Sequence, residues 1–161
     1  MSCDAAAAGM IWLASLGGGS PPPLSHLLSA SVVMASTAPV SHLMAEPLYA
    51  GIVDQAKGLK AVVEGYRKAG ATAPLPRFDD FKARIDALSA LDMKGHIDLA
   101  ARGTDGDLKC ILKGISQDLP RKLAELSAAT TAKDRAAALD DMFYLLRDNV
   151  EVITTPASVT S

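Results

Sequence analysis

The apolar residues between positions 108 and 126 recur at spacings of three and four, and this pattern constrains the fold more than any other feature. The repeating residues are Leu108, Ile111, Leu112, Ile115, Leu119, Leu123 and Leu126. One face of an α-helix presents residues at these spacings, whereas a half-buried strand alternates at every second residue. Pro120 interrupts the stretch and removes one backbone hydrogen bond, so we expect one bent helix or two short helices nearly in line.

Three further segments repeat with the helical period, and no segment shows the alternation of a strand. They lie near residues 47–68, 76–101 and 131–150. In the second of them Asp92 stands where an apolar residue is due, so we expect the helix to break there. Four helices joined by short polar links predict an all-α fold, an antiparallel four-helix bundle. We expect its core to contain Phe78, Phe81 and Phe143.

Charge divides the chain into unlike regions. Asp4 is the only charged residue among the first 45, and all 16 Lys and Arg residues come at or after Lys57. The first region is rich in Ala, Ser, Gly and Pro, and its Gly and Pro run at 17–23 forbids a continuous helix. We therefore predict a disordered or irregular leader at 1–45, a helical bundle at 46–153 and a frayed tail at 154–161. Residues 1–43 are predicted to be dispensable for folding, with Met44 as a possible true start.

The leader and the cysteines bear on where the protein works. The apolar stretch at 5–16 has the length of a signal-peptide core, but no basic residue precedes it. It is shorter than the roughly 20 residues that span a bilayer. Cys3 and Cys110 are far apart in the sequence, so we expect no disulfide framework and a reducing, cytoplasmic setting. The alternative is export, with 1–43 acting as a signal. The Ala-rich composition is typical of a bacterial protein.

Composition and motifs argue against several classes of function. The formal net charge is -2, and a nucleic-acid groove needs a clustered basic surface that this balance does not favour. The chain contains no phosphate-binding loop, no serine-hydrolase elbow and no zinc-protease motif. We therefore expect no enzymatic activity, no cofactor, no metal and no stable membrane span. The predicted partner is another protein or a second copy of this chain.

Residues 110–116 read CILKGIS, and with a histidine in place of Cys110 the run would be H-x-L-K-G-x-S. It then resembles the centre of the histidine phosphotransfer family, helical bundles that carry a phosphoryl group between signalling proteins. The resemblance covers four matching positions. It implies that Lys113 faces the phosphate and that Gly114 leaves room for a partner. Because Cys110 replaces the acceptor, the resemblance implies a relative that docks without transferring phosphate at this position.

Asp92 and His96 form a second candidate site. They are four residues apart, so on a helix they lie on one face. A carboxylate beside an imidazole can orient it as a base or as a phosphoryl acceptor. The candidate docking or phosphorelay face therefore comprises Cys110, Lys113 and Gly114 together with His96 and Asp92. A third class, a small-molecule or metal binder inside the bundle, requires several inward polar residues, and Asp92 is the only one that the sequence indicates.

Overall fold

A computed structural model describes residues 41–70 and 75–155. These residues form four α-helices, preceded by a 3-10 helix at His42–Ala45: α1 at Pro47–Ala69, α2 at Phe78–Arg102, α3 at Gly106–Ala128 and α4 at Ala132–Thr154. The described ranges contain no strand, so the all-α prediction is confirmed. Helices α1 and α3 each pack against both α2 and α4, which places α2 and α4 diagonally opposite each other.

Contacts between the ends of α1 and α2 indicate the relative direction of these two helices. The hydroxyl of Tyr49, in the first turn of α1, lies 3.4 Å from the carbonyl oxygen of Gly95 in the last third of α2. Tyr66, near the end of α1, donates to the carbonyl of Pro76, just before α2. These contacts support the antiparallel order, which stays a prediction for the bundle as a whole.

Several helix ends lie where the sequence predicts them. Pro47 occupies the first turn of α1, where its missing N–H costs no hydrogen bond. Gly70 and Gly103 end α1 and α2 with φ angles of 87° and 69°, which glycine adopts without strain. The backbone N–H of Asp134 donates to the Thr131 hydroxyl at 3.1 Å, so Thr131 caps α4 at the residue where the predicted segment 131–150 begins.

The core follows most of the predicted apolar stripes, but the burial of some residues and the continuity of α2 differ from the prediction. Phe81 is buried, whereas Phe78 and Phe143 are partly buried against the core. Ile111 is 40% exposed, so its assignment to the core is wrong. The predicted break at Asp92 is also wrong, because α2 runs without interruption to Arg102.

Helix α3 continues through Pro120 as a single helix. Proline has no N–H to offer the carbonyl of Ser116, four residues earlier. The Ser89 hydroxyl of α2 donates to that carbonyl at 2.6 Å instead. A neighbouring helix therefore supplies the donor that the proline lacks.

The packed part of the chain begins before α1. Leu43, in the 3-10 helix, is 2% exposed, and the backbone N–H of Ser41 lies 3.5 Å from the carbonyl of Thr154. Residues 41–43 thus belong to the bundle, contrary to the prediction that everything before Met44 is dispensable, because the Leu43 side chain fills its end. The other predictions for the leader and tail concern residues 1–40 and 156–161, outside the described residues. None of the described helices is both long enough and apolar enough to cross a membrane.

Candidate functional site

His96 lies at the seam between α2 and α3. Its Nδ1 is 2.8 Å from the backbone carbonyl of Lys109. A carbonyl only accepts, so Nδ1 carries the hydrogen and donates it. In the neutral imidazole the other nitrogen, Nε2, then keeps its lone pair. The contact fixes both the ring orientation and the tautomer of a partly buried histidine.

Apolar residues precede and follow this histidine on α2, and basic residues lie on the neighbouring α3. Met93 and Ile97 are four residues apart on α2 and are therefore neighbours on one side of the helix. Lys109 and Lys113 have the same spacing on α3. Ile97 is 59% exposed, the highest value for a large apolar side chain among the described residues. We call this surface the α2–α3 face and define it by seven residues: Met93, His96, Ile97, Lys109, Cys110, Lys113 and Gly114.

The two lysines of the α2–α3 face differ electrostatically from many cations of the bundle. Within the described ranges, neither Lys109 nor Lys113 has a carboxylate oxygen within 4.0 Å. By contrast, Arg102 bonds to Glu46 at 2.6 Å, and Arg121 bonds to Asp118 at 2.7 Å. The positive charge of the face is therefore not offset by an ion pair inside the described bundle.

Four of the five predicted site residues belong to the α2–α3 face: His96 contacts the Lys109 carbonyl across the seam, and Cys110, Lys113 and Gly114 follow Lys109 on α3. Gly114 borders open space within the described bundle: apart from its own helix backbone, no described heavy atom lies within 4 Å of the point where a Cβ would lie. Lys113 and His96 are partly buried. Cys110 is also partly buried and is disulfide-bonded. This bond contradicts the expectation that the cysteines form no disulfide framework.

Asp92 is not part of this surface. Its side chain is fully buried, and its Oδ2 accepts a hydrogen bond from the Asn149 side-chain amide at 2.7 Å. His96 instead bonds to the carbonyl of Lys109. The structure therefore does not form the predicted Asp92–His96 pair. The reason is angular: Asp92 points into the centre of the bundle, and His96 points toward α3.

Burial governs the chemistry of the Asp92–Asn149 pair. Loss of water raises the pKa of Asp92 to about 8, and the hydrogen bond from Asn149 lowers it only in part. One oxygen of each side chain, Oδ1 in both residues, has no partner within the described bundle. Asn149 was not predicted from the sequence, although it lies three residues after Leu146 and four before Ile153 in the α4 stripe.

A second polar cluster joins the ends of α1 and α2. The Tyr49 hydroxyl donates to Asp98 Oδ2 at 2.7 Å, and the Arg102 guanidinium bonds to both Asp98 and Glu46. Burial is the main cause that raises the pKa of Tyr49, so the phenol stays protonated as a donor. These bonds connect the start of α1 to the end of α2, and we assign them a structural role.

The described residues contain no group of three or more His, Cys, Asp or Glu side chains that could hold a metal ion. Comparisons with protein-family models, with curated proteins and with solved structures each find no match for this chain. Function is therefore inferred from the geometry of the α2–α3 face and of the buried pair.

Proposed function

We propose that this chain is a non-enzymatic docking protein. Its α2–α3 face binds a protein surface on which carboxylates lie beside apolar side chains. The observation that carries the proposal is the exposure of Ile97, at 59%, on α2, which packs against α3, where two lysines have no ion partner in the described bundle. The bacterial setting stays a prediction from composition, and the cytoplasmic setting stays a prediction that the disulfide at Cys110 does not favour.

Ile97 supplies the apolar contact. A single exposed apolar side chain is common on protein surfaces and by itself indicates nothing. Here the partly buried Met93 lies one turn away on the same side of α2 and extends the apolar area. Apolar residues at the centre of an interface, rimmed by polar groups, carry most of the binding energy in protein complexes.

Lys109 and Lys113 determine the chemistry of the partner. Two ammonium groups one helical turn apart attract carboxylates, because opposite charges across an interface steer association and fix orientation. Gly114 offers no side chain and borders open space, so a partner can approach the backbone of α3 closely. A partner with an acidic, partly apolar surface therefore fits the face better than a nucleic acid or a neutral surface.

The test compares variants of the face with a matched control. Ile97→Asp and Lys113→Glu each introduce negative charge on the face, whereas Lys133→Glu makes the same change at an exposed lysine of α4. A partner captured with the wild-type chain is purified, and its Kd is measured by calorimetry. We expect each face variant to weaken binding by about tenfold or more, roughly 1.4 kcal/mol.

The control should change Kd by less than about twofold, with thermal melts confirming that every variant folds. Equal losses in the face variants and the control would contradict the proposal. Sedimentation of the wild-type chain alone tests the other predicted partner, a second copy of this chain. A dimer that Ile97→Asp dissociates would show that the face binds a second copy instead.

His96 supports a second candidate, a phosphorelay protein. The bond from Nδ1 to the Lys109 carbonyl leaves Nε2 with a lone pair, as a phosphoryl acceptor requires. Incubation with a histidine kinase or a small phosphodonor separates the candidates. Acid-labile label that is present in the wild type and absent from His96→Gln would favour the relay, and an unlabelled wild type would favour docking alone.

A further inference from the structure

The hydrogen bond between Asp92 and Asn149 crosses the middle of the bundle. Helices α2 and α4 are diagonal and do not pack against each other directly. Their side chains nevertheless meet at 2.7 Å, and both residues are fully buried. This contact therefore joins two helices whose Cα atoms all lie more than 8 Å from each other.

A charged carboxylate leaves this contact incomplete. With Asp92 ionised, Asp92 Oδ1 and Asn149 Oδ1 are two buried acceptors without a donor in the described bundle. Buried acceptors without donors are unfavourable, because they have lost their bonds to water. A proton on Asp92 Oδ1 turns that oxygen into a donor. The acid can then donate to Asn149 Oδ1 while the amide donates to Asp92 Oδ2, which completes both pairs.

No opposite charge compensates an ionised Asp92 within the part of the chain that the structure describes. From α1, the titratable group at this level is Tyr49, whose hydroxyl donates to Asp98. On α2 itself, His96 bonds to the Lys109 carbonyl and Asp98 bonds to Arg102. From α4 the uncharged Asn149 bonds to Asp92, and no charged group of α1 or α3 among the described residues is a cause of the shift in the Asp92 pKa. The charge of Asp92 thus faces only apolar and neutral groups.

We propose that Asp92 and Asn149 form a proton-dependent latch across the bundle. The latch is closed by two hydrogen bonds when Asp92 is neutral. Loss of the proton to water opens one of the two bonds, leaves a buried charge and weakens the hold of α2 on α4. The latch is independent of the docking role proposed above, since it uses none of the residues of the α2–α3 face.

The direction of the pH effect follows from linkage. Burial raises the pKa of Asp92 to about 8 in the folded chain, whereas an unfolded aspartate has a pKa near 3.9. Between these values the folded chain binds more protons than the unfolded chain. Stability therefore falls as the pH rises through this window and levels off above about 8.

The experiment uses the full chain. The side-chain carboxyl carbon of Asp92 is titrated by NMR, and thermal melts are recorded between about pH 6 and 9 for the wild type and two variants. Asp92→Asn keeps a complementary amide pair that cannot ionise. Asp86→Asn alters an exposed aspartate of the same helix, which pairs with Lys82, and serves as the control.

We expect an Asp92 titration midpoint near 8. The wild-type Tm should fall by about 5 °C or more across the range. The Tm of the Asp86→Asn variant should fall in parallel with that of the wild type, and the Tm of Asp92→Asn should change much less. A titration midpoint of Asp92 near 4 would overturn the latch. An equal fall of Tm with pH in Asp92→Asn and the wild type would overturn it as well. If Asp92→Asn does not fold, the NMR midpoint of the wild type decides alone.

Discussion

Gly95 shows how one missing side chain lets α2 pack. A Cβ at this buried position would lie 3.0 Å from Leu112 Cδ1 and 3.3 Å from Ile52 Cδ1. Both neighbours are fully buried and have little room to move. The φ angle of Gly95 is not positive, so the need for glycine here comes from close packing and not from backbone strain.

We expect alanine to have opposite effects at two glycines. Gly65 lies on the exposed side of α1, and a Cβ added there would meet no other heavy atom within 4 Å, so Gly65→Ala should stabilise the fold by about 0.5–1 kcal/mol through helix propensity. Gly95→Ala should destabilise it by about 1–3 kcal/mol through overpacking. Urea melts measure both. If Gly95→Ala also stabilised the fold, the close contacts with Leu112 and Ile52 would not be rigid.

At the scale of the element, α3 depends on α2 at its proline. Pro120 lies inside the helix and is exposed, and the carbonyl that loses its helical donor belongs to the buried Ser116. The Ser89 hydroxyl donates to that carbonyl. The helix therefore stays continuous because a side chain from its neighbour replaces one backbone bond.

A double-mutant cycle tests this replacement. Ser89→Ala alone should cost about 1–2 kcal/mol, because it leaves the Ser116 carbonyl without a donor. In a Pro120→Ala background the new N–H can reach that carbonyl, so the same change should cost much less. Denaturant melts of the four chains give the coupling energy. Equal costs of Ser89→Ala in both backgrounds would show that the serine does not compensate for the proline.

At the scale of the whole molecule, the 3-10 helix closes one end of the bundle. Leu43 is buried there, and the side chains of Glu46 and Arg102 bond to each other across the start of α1 and the end of α2. Ile111 lies near the same end but is 40% exposed. The structure thus exchanges what the sequence predicts: it buries Leu43, which the sequence places in the leader, and exposes Ile111, which the sequence places on the apolar stripe.

The exchange gives a direct stability test. Leu43→Ala should lower the free energy of unfolding by about 2–5 kcal/mol, because it leaves a cavity among buried residues. Ile111→Ala should cost less than about 1 kcal/mol at its half-exposed position. Chemical denaturation of the full chain measures both. A larger loss at Ile111 than at Leu43 would contradict the described packing of the 3-10 helix.

Local signals in the sequence were enough to predict the helices and several of their ends. Periodicity and caps act within one or two turns, so Pro47, Gly70, Gly103 and Thr131 mark real boundaries without reference to the rest of the chain. The sequence also indicated that Lys113 and Gly114 share one part of α3. It could not indicate that His96 reaches the carbonyl of Lys109, because the two residues lie on different helices.

Which polar and apolar residues face the centre depends instead on how the helices pack together. An aspartate in an apolar stripe predicts a break, because a helix cannot bury a charge without a partner. Asp92 avoids that cost in the fold, because burial raises its pKa to about 8 and the amide of Asn149, 57 residues away, donates a hydrogen bond to it, so α2 continues. Packing against neighbouring elements also explains why Leu43 is buried and Ile111 is exposed. A periodic pattern shows that a face is apolar, but the neighbouring elements determine how much of it is covered.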